Sequence, residues 1–381
     1  MQMAGLYIHI PFCKSRCIYC GFYSSTLLDL QDRYVEALCR EMLLRRHYLE
    51  NGHERQRIST VYIGGGTPSQ LTLGNMRRLM THVFNTYDVD DDAEVTVECN
   101  PEDVTDERAL ALRESRVNRV SMGAQTFSDE RLRFLGRRHT ACRVADAVDT
   151  LRMAGFDNIS IDLMFGFPGQ TPAQWDEDIR QALALRVNHI SAYSLTYEEG
   201  TPLQRMLAQG RVTETDEEIS RAMYYSLVDR LTAAGYEHYE ISNFAVPGMR
   251  SRHNSAYWRG VPYIGLGAAA HSFDRRSRRW NTVDIRRYIS GAEHGDVPHE
   301  QERLDEKTNY NETVFLSLRT SEGIDTDKIS RTFGREYKDY LLNSARRHIE
   351  TGSLAVCGDT LRLSRQGLFI SDGIMSDLMM I

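Results

Sequence analysis

The sequence has no apolar run approaching the ~20 residues that a membrane-spanning helix needs. Its opening, MQMAGLYIHIPFC, has neither a charged n-region nor a long apolar h-region. These absences predict a cytoplasmic protein, with membrane contact at most peripheral. There is no internal repeat and no low-complexity stretch. An excess of positive charge is also missing: the formal net charge is −7, so nothing overall favours nucleic acid as a partner. The seven cysteines are an odd number, and three of them crowd into eight residues, which is not how a disulfide framework is arranged.

What is present is ordinary globular material. With 381 residues and 41% hydrophobic content, the chain is long enough for one large α/β domain and a smaller one. From Leu6 to about Tyr239, short β-branched runs alternate with helical segments, as in a parallel sheet wrapped by crossover helices. The predicted strands are Leu6–Ile10, Thr60–Ile63, Glu94–Glu98, Arg119–Met122, Ile159–Met164 and Ile190–Tyr193. Between them, Asp32–Tyr48 places Tyr34, Leu38, Met42 and Leu43 on one helical face, and Ala141–Ala154 is a second amphipathic helix ended by Gly155.

Six such units predict a partial (β/α)6 barrel, although periodicity alone leaves a doubly wound sheet open. The unusual residues favour the barrel. The cysteine loop, Gly64–Ser69, Glu98, Gln125 and Asp162 all fall in or just after successive strands, and barrel enzymes build their sites at that face.

Beyond Tyr239 the pattern predicts Gly- and Arg-rich loops. Nine arginines lie between Val246 and Ser290, against only Asp274 and Asp284, a run usually found on a solvated face. From about Glu300 the predicted order is three helices, Lys307–Arg319, Asp325–Phe333 and Arg335–Glu350, then a hairpin Leu354–Cys357 and Thr360–Leu363 turning on Gly358-Asp359. That order suggests a small C-terminal winged-helix-like domain. Its 11 Lys and Arg against 14 Asp and Glu argue against binding DNA. The expected divisions are thus 1–239, 240–299 and 300–381.

Cys13-Lys-Ser-Arg-Cys17-Ile-Tyr-Cys20 offers three thiolates from one loop, the count for a cubane cluster with one iron left open. Zinc would need a fourth close ligand, for which His9 is the nearest candidate, and a redox dithiol would need only two cysteines. Gly64-Gly65-Gly66-Thr67-Pro68 after a strand permits close approach of backbone to a ligand, and equally a tight turn. Cys39, Cys99, Cys142 and Cys357 read as small core residues.

Together, His9-Ile-Pro-Phe-Cys13-x3-Cys17-x-Tyr19-Cys20-x-Phe22 and the glycine run resemble the radical S-adenosylmethionine superfamily. The resemblance is to the branch holding oxygen-independent coproporphyrinogen III oxidase and the HemW heme chaperones, and it covers essentially the whole chain. It implies a [4Fe–4S] cluster on Cys13, Cys17 and Cys20, whose open iron chelates S-adenosylmethionine and whose electron can cleave it to a 5′-deoxyadenosyl radical. It also implies cofactor contacts from Tyr7, Tyr19, Gly65, Gly66, Thr67, Glu98, Gln125, Arg137 and Asp162. Helix caps, ion pairs or loop hydrogen bonds are the alternative readings for Glu98, Gln125 and Asp162.

Within that branch, Phe22 stands where the oxidases carry a fourth cysteine, and only twelve residues precede Cys13 where the oxidases have a longer segment. His253-Asn254-Ser255-Ala256-Tyr257-Trp258 matches the HNxxYW signature of the chaperones. The resemblance therefore implies heme as a ligand, with His253 as a potential iron ligand and Asn254, Tyr257 and Trp258 beside it, while the nearby arginines suit the propionates. It implies a heme-acceptor protein and an electron donor such as flavodoxin or ferredoxin as partners. No residue is assigned a catalytic role. The other readings are an oxygen-independent coproporphyrinogen oxidase, a radical methyltransferase that opens heme, and a protein whose cluster is purely structural.

Overall fold

The computed structural model describes residues 3–49 and 56–381. Six strands, β1 (Met3–Ile10), β2 (Arg57–Gly65), β3 (Val89–Cys99), β4 (Arg119–Gln125), β5 (Ile159–Phe165) and β6 (His189–Ser194), pair in parallel and in sequence order. A doubly wound sheet reverses its strand order partway, and this one does not, so the six βα units wind in one direction as in a barrel.

The barrel stays open. Past β6 the sheet continues antiparallel through β7 (Glu237–Glu240) and β8 (Asn243–Ala245), in the order β6-β8-β7. On the far side of β1 lies β9 (Tyr263–Leu266), parallel to it. Then follow β10 (His271–Phe273), β11 (Ser277–Asn281) and β12 (His299–Arg303), each antiparallel to its neighbour. The loops expected after Tyr239 are therefore largely short strands that widen the main sheet. Runs of three to five residues such as Ser277-Arg-Arg-Trp-Asn281 are too short and too basic to show strand periodicity.

Alternation in each strand divides the residues into two faces. Val95 and Val97 of β3 and Val120 and Met122 of β4 join the core under the helices, the same continuous core that holds Tyr34, Leu38 and Met42 of the helix Gln31–Leu44. Leu43, one residue and ~100° further round that helix, is 55% exposed, contrary to its expected place on the packed face. The opposite face of the strands is polar: Thr60, Glu94, Thr96, Arg119, Ser121, Ser160 and His189 are all buried in the barrel. Burying so many polar groups is costly unless they hydrogen-bond to one another or to a ligand.

The C-terminal helices are Glu306–Leu318, Thr326–Phe333 and Arg335–Glu350, followed by the hairpin Leu354–Cys357 and Thr360–Leu363. Gly358 turns the hairpin at a φ of 61°, a left-handed conformation glycine adopts without penalty. Ile324–Asp325 adds a third strand, and Tyr310, Leu318, Leu341 and Leu361 share a core separate from the barrel's. Of the scattered cysteines, Cys39 and Cys99 are buried as expected, whereas Cys142 and Cys357 are exposed. Among the described residues no helix is long and apolar enough to cross a membrane.

Candidate functional site

The loop after β1 is anchored at both ends. Cys13 N–H donates to the Ser25 carbonyl (3.0 Å) and Ile18 N–H to the Leu135 carbonyl (3.1 Å), while Cys20 N–H closes a tight turn on the Cys17 carbonyl. Cys13, Cys17 and Cys20 are free thiols at intermediate exposure, and Thr67 Oγ1 lies 3.3 Å from Cys13 Sγ. Burial pushes the Cys13 and Cys20 thiols up, and both also feel the charge of Cys17 and of Arg137, so the three sulfurs share one electrostatic site. Among the described residues, no three His, Cys, Asp or Glu side chains converge as ligands of a single ion. The thiolates of a cubane need not, since each ligates a different iron. His9 has Tyr7 OH at 3.1 Å from Nδ1 and the Tyr23 carbonyl at 3.1 Å from Nε2, so both its ring nitrogens are engaged within the protein.

The glycine run sits where β2 passes under this loop. Gly65 has a φ of 111°, and a Cβ there would lie 2.6 Å from the His9 ring; a Cβ on Gly66 would meet the Pro11 carbonyl at 2.7 Å. Gly65 thus makes room for the His9 ring of β1 and Gly66 for the start of the cysteine loop, a need of the protein's own packing. Gly65 N–H donates to Glu98 Oε2 (3.1 Å) and Tyr62 OH to Glu98 Oε1 (2.7 Å). Burial pushes the Glu98 carboxyl up to about 7 against the pull of the Tyr62 hydrogen bond. Asp162 is likewise raised to about 6 by burial, although Ser191, Arg119 and Arg137 favour its charge.

Gln125 ends β4 at a φ of 65°, unusual for a residue with a side chain, where a bulge breaks the register with β5. Strained backbone and bulges of this kind gather at functional sites. Gly123, which sequence reasoning passed over, leaves the space in which the Gln125 amide and the Arg137 guanidinium meet; a Cβ there would lie 2.7 Å from one and 3.0 Å from the other. Arg137 donates to Asn100 Oδ1 (2.8 Å) and Tyr19 OH (3.0 Å), yet its Nε is buried without a partner. Burial and the thiolate charges push the Tyr19 phenol up to about 12, so it stays neutral against the guanidinium. Tyr7 stands one layer down, its ring stacked on Tyr62 at 6.2 Å.

The mouth therefore presents two carboxylates, an amide, a guanidinium and three thiols from four strands and their loops. This set complements a ligand carrying an ammonium, a carboxylate and hydroxyl groups, held against a metal cluster. Deeper in the barrel, Arg119 is 1% exposed and its Nε, like Thr96 Oγ1, has no hydrogen-bond partner. Its one sequence signal is a charge at an inward position, alternating with Val120 and Met122.

The segment around His253 lies elsewhere. It forms a short helix, Arg252–Trp258, against the opposite end of the barrel. Glu94 caps it, accepting from the Arg252 and His253 N–H groups at 2.9 Å each. His253 is 2% exposed. Its Nδ1 bonds Thr60 Oγ1 (2.8 Å), its Nε2 bonds Tyr257 OH (3.1 Å), and its ring stacks on Tyr62 at 5.0 Å. In this arrangement both ring nitrogens of His253 are engaged within the protein, and burial pushes the imidazole down to about 3. Tyr257 packs edge-on to Tyr263 at 4.6 Å, and Trp258 lies under Arg319, 5.1 Å from the ring centre, with its indole N–H buried and unpartnered. Asn254 is half-buried, its backbone N–H on Ser251 Oγ. The structure brings Tyr7, Tyr19, Glu98, Gln125, Arg137 and Asp162 to the cysteine end, and leaves these four residues at the other. Tyr62, unforeseen from the sequence, touches both groups.

Comparison with known proteins matches the same parts of the chain. Residues 7–182 match the Radical SAM superfamily and residues 304–370 the HemN C-terminal domain. The chain is 37% identical to the heme chaperone HemW of Lactococcus lactis over 86% of this chain and 84% of that protein. It is 34% identical to the Bacillus subtilis heme chaperone HemW over 98% of each. The solved structure of coproporphyrinogen III oxidase (HemN) from Escherichia coli superimposes with a TM-score of 0.84, covering 99% of this chain and 90% of that one at 22% identity, a likeness of fold.

Proposed function

We propose, on the premise that this chain belongs to the HemW heme chaperone family within the radical SAM superfamily, that it binds heme and passes it to an acceptor protein. In this reading it also carries a [4Fe–4S] cluster and S-adenosylmethionine. The observation that carries the reading is similarity to heme chaperones over nearly the full chain, joined to a three-thiol loop beside a polar barrel mouth.

Cys13, Cys17 and Cys20 hold the cluster, Gly66 lets their loop start close on β2, Gly65 leaves room for the His9 ring, and Thr67 Oγ1 lies beside Cys13 Sγ. Once bound, the cluster and S-adenosylmethionine supply one-electron chemistry, which requires an external electron donor. Glu98 and Asp162 accept from the cofactor's ammonium and hydroxyl groups, Gln125 reads its polar edge, and Arg137 offers its unpaired Nε–H while holding Asn100 and Tyr19 in place. Phe22, where the oxidases have a fourth cysteine, is 72% exposed beside the cluster loop and adds no ligand. We read 1–239 as the cofactor-binding core, 240–299 as the extension concerned with heme, and 300–381 as a module that faces the client.

The test is to titrate anaerobically purified, cluster-bearing protein with heme and, separately, with coproporphyrinogen. The expected result is a heme absorbance shift, transfer of that heme to an apo-acceptor, and no consumption of coproporphyrinogen. Absence of any heme shift, or conversion of coproporphyrinogen with loss of S-adenosylmethionine, would overturn the reading.

A further inference from the structure

The heme-chaperone reading requires an iron ligand, and His253 is engaged at both nitrogens. The other histidines can be sorted by the same criterion. Of the eleven described histidines, ten hydrogen-bond through a ring nitrogen: His9, His47, His82, His139, His189, His238, His253, His294, His299 and His348. His271 is the exception among the described residues. It is exposed, and its ring contact is with Trp280, stacked at 5.8 Å and 22°.

Its surroundings are those of a flat ligand. His271 and Trp280 are directly opposite on β10 and β11, so they share a face, and two residues along are Phe273 and Arg278, opposite each other on that same face. Phe273 in turn pairs with Tyr263, the ring centres 6.2 Å apart. The face belongs to the strands that widen the sheet beyond β1, and at Arg278 it meets the C-terminal helix Glu306–Leu318, whose Glu312 accepts from that guanidinium at 2.6 Å. Ring contacts run from Tyr263 through Tyr257, His253 and Tyr62 to Tyr7, and so to the cofactor mouth. Arg275 and Arg276 are exposed at the hairpin tip, where guanidinium groups can receive carboxylates. Partial burial and Arg278 lower the His271 imidazole below its ordinary value, which keeps it neutral and able to ligate.

We propose that His271 is an axial ligand of heme iron and that Trp280, Phe273 and Tyr263 form the surface on which the porphyrin lies. The site rests on the heme-binding function proposed above.

The test uses the full chain with its cluster, titrated anaerobically with ferric heme and followed by difference absorbance and electron paramagnetic resonance. His271→Ala is expected to weaken heme at least about tenfold and to abolish the histidine-ligated signal. Iron–sulfur content and the response of the cluster to S-adenosylmethionine should be unchanged, because the residue is exposed and is not among the groups that line the cofactor mouth. Added imidazole should restore the signal, and Trp280→Ala should weaken heme without changing the ligand. A His271→Ala protein that binds heme as tightly and with the same spectrum as the wild type overturns this site while leaving the chaperone function intact. A wild-type protein that binds no heme overturns both.

Discussion

The two ends of the barrel carry equally conspicuous residues and treat them in opposite ways. At the cysteine end polar groups are left unfinished: three free thiols, a guanidinium Nε without a partner, and two carboxyls raised by burial. At the other end the histidines are complete, and orphaned groups such as the Trp258 indole N–H and Arg119 Nε belong to other side chains. His253 and His189 each use both ring nitrogens, and Glu94 caps the helix that carries His253. Several unmet groups gathered on one opening mark a place prepared for a ligand, whereas histidines with both ring nitrogens satisfied mark a joint in the structure. The helix Arg252–Trp258 packs against β2 and holds Tyr62 through the His253 ring, and Tyr62 in turn bonds Glu98.

Substitutions at the two ends should separate these roles. The largest effect is expected from Cys17→Ala, which should remove the cluster altogether, seen as loss of bound iron and of visible absorbance in anaerobically purified protein. Next is His253→Ala, which empties a packed site and strands Thr60 Oγ1; the expected loss is ~2–4 kcal/mol of stability by chemical denaturation, with cluster content retained in the folded fraction. A stability change near zero with heme binding abolished would break the contrast between the ends.

Smaller is the effect of Glu98→Gln on pH dependence. The folded-state value of about 7 lies above that of an unfolded glutamate, so Glu98 favours the folded state at low pH and this contribution is lost as pH rises through 7. Cofactor-free wild-type protein should lose on the order of 1–3 kcal/mol relative to Glu98→Gln between about pH 5 and pH 8, measured by parallel denaturation curves. Smallest is Asn254→Ala: the backbone N–H of that residue makes the cap bond to Ser251, so a change below about 0.5 kcal/mol is expected. A larger loss would show that the motif asparagine has a role beyond the helix it sits in.

The barrel strands were legible because each is a β-branched run of ordinary length, and the cysteine end because a short loop with three thiols restricts the chemistry. The C-terminal hairpin, with Gly358-Asp359 between two four-residue runs, was equally plain. Strands β8 to β12 were not, since runs of five residues or fewer give no periodic signal, and β11 and β12 carry charges besides. Tyr62, Arg119 and Gly123 look unremarkable in sequence; their importance comes from pointing into the barrel between strands that meet only in the fold. The His253 motif read as a ligand because sequence shows a donor atom and not its partners. Thr60, which occupies that donor, lies 193 residues away.

The most direct measurement is the electron paramagnetic resonance spectrum of the reduced, anaerobically reconstituted protein before and after addition of S-adenosylmethionine. A [4Fe–4S] signal that shifts on addition is expected from three cysteine ligands and one open iron at the barrel mouth. Zinc in place of iron, or a cluster signal indifferent to S-adenosylmethionine, would contradict it.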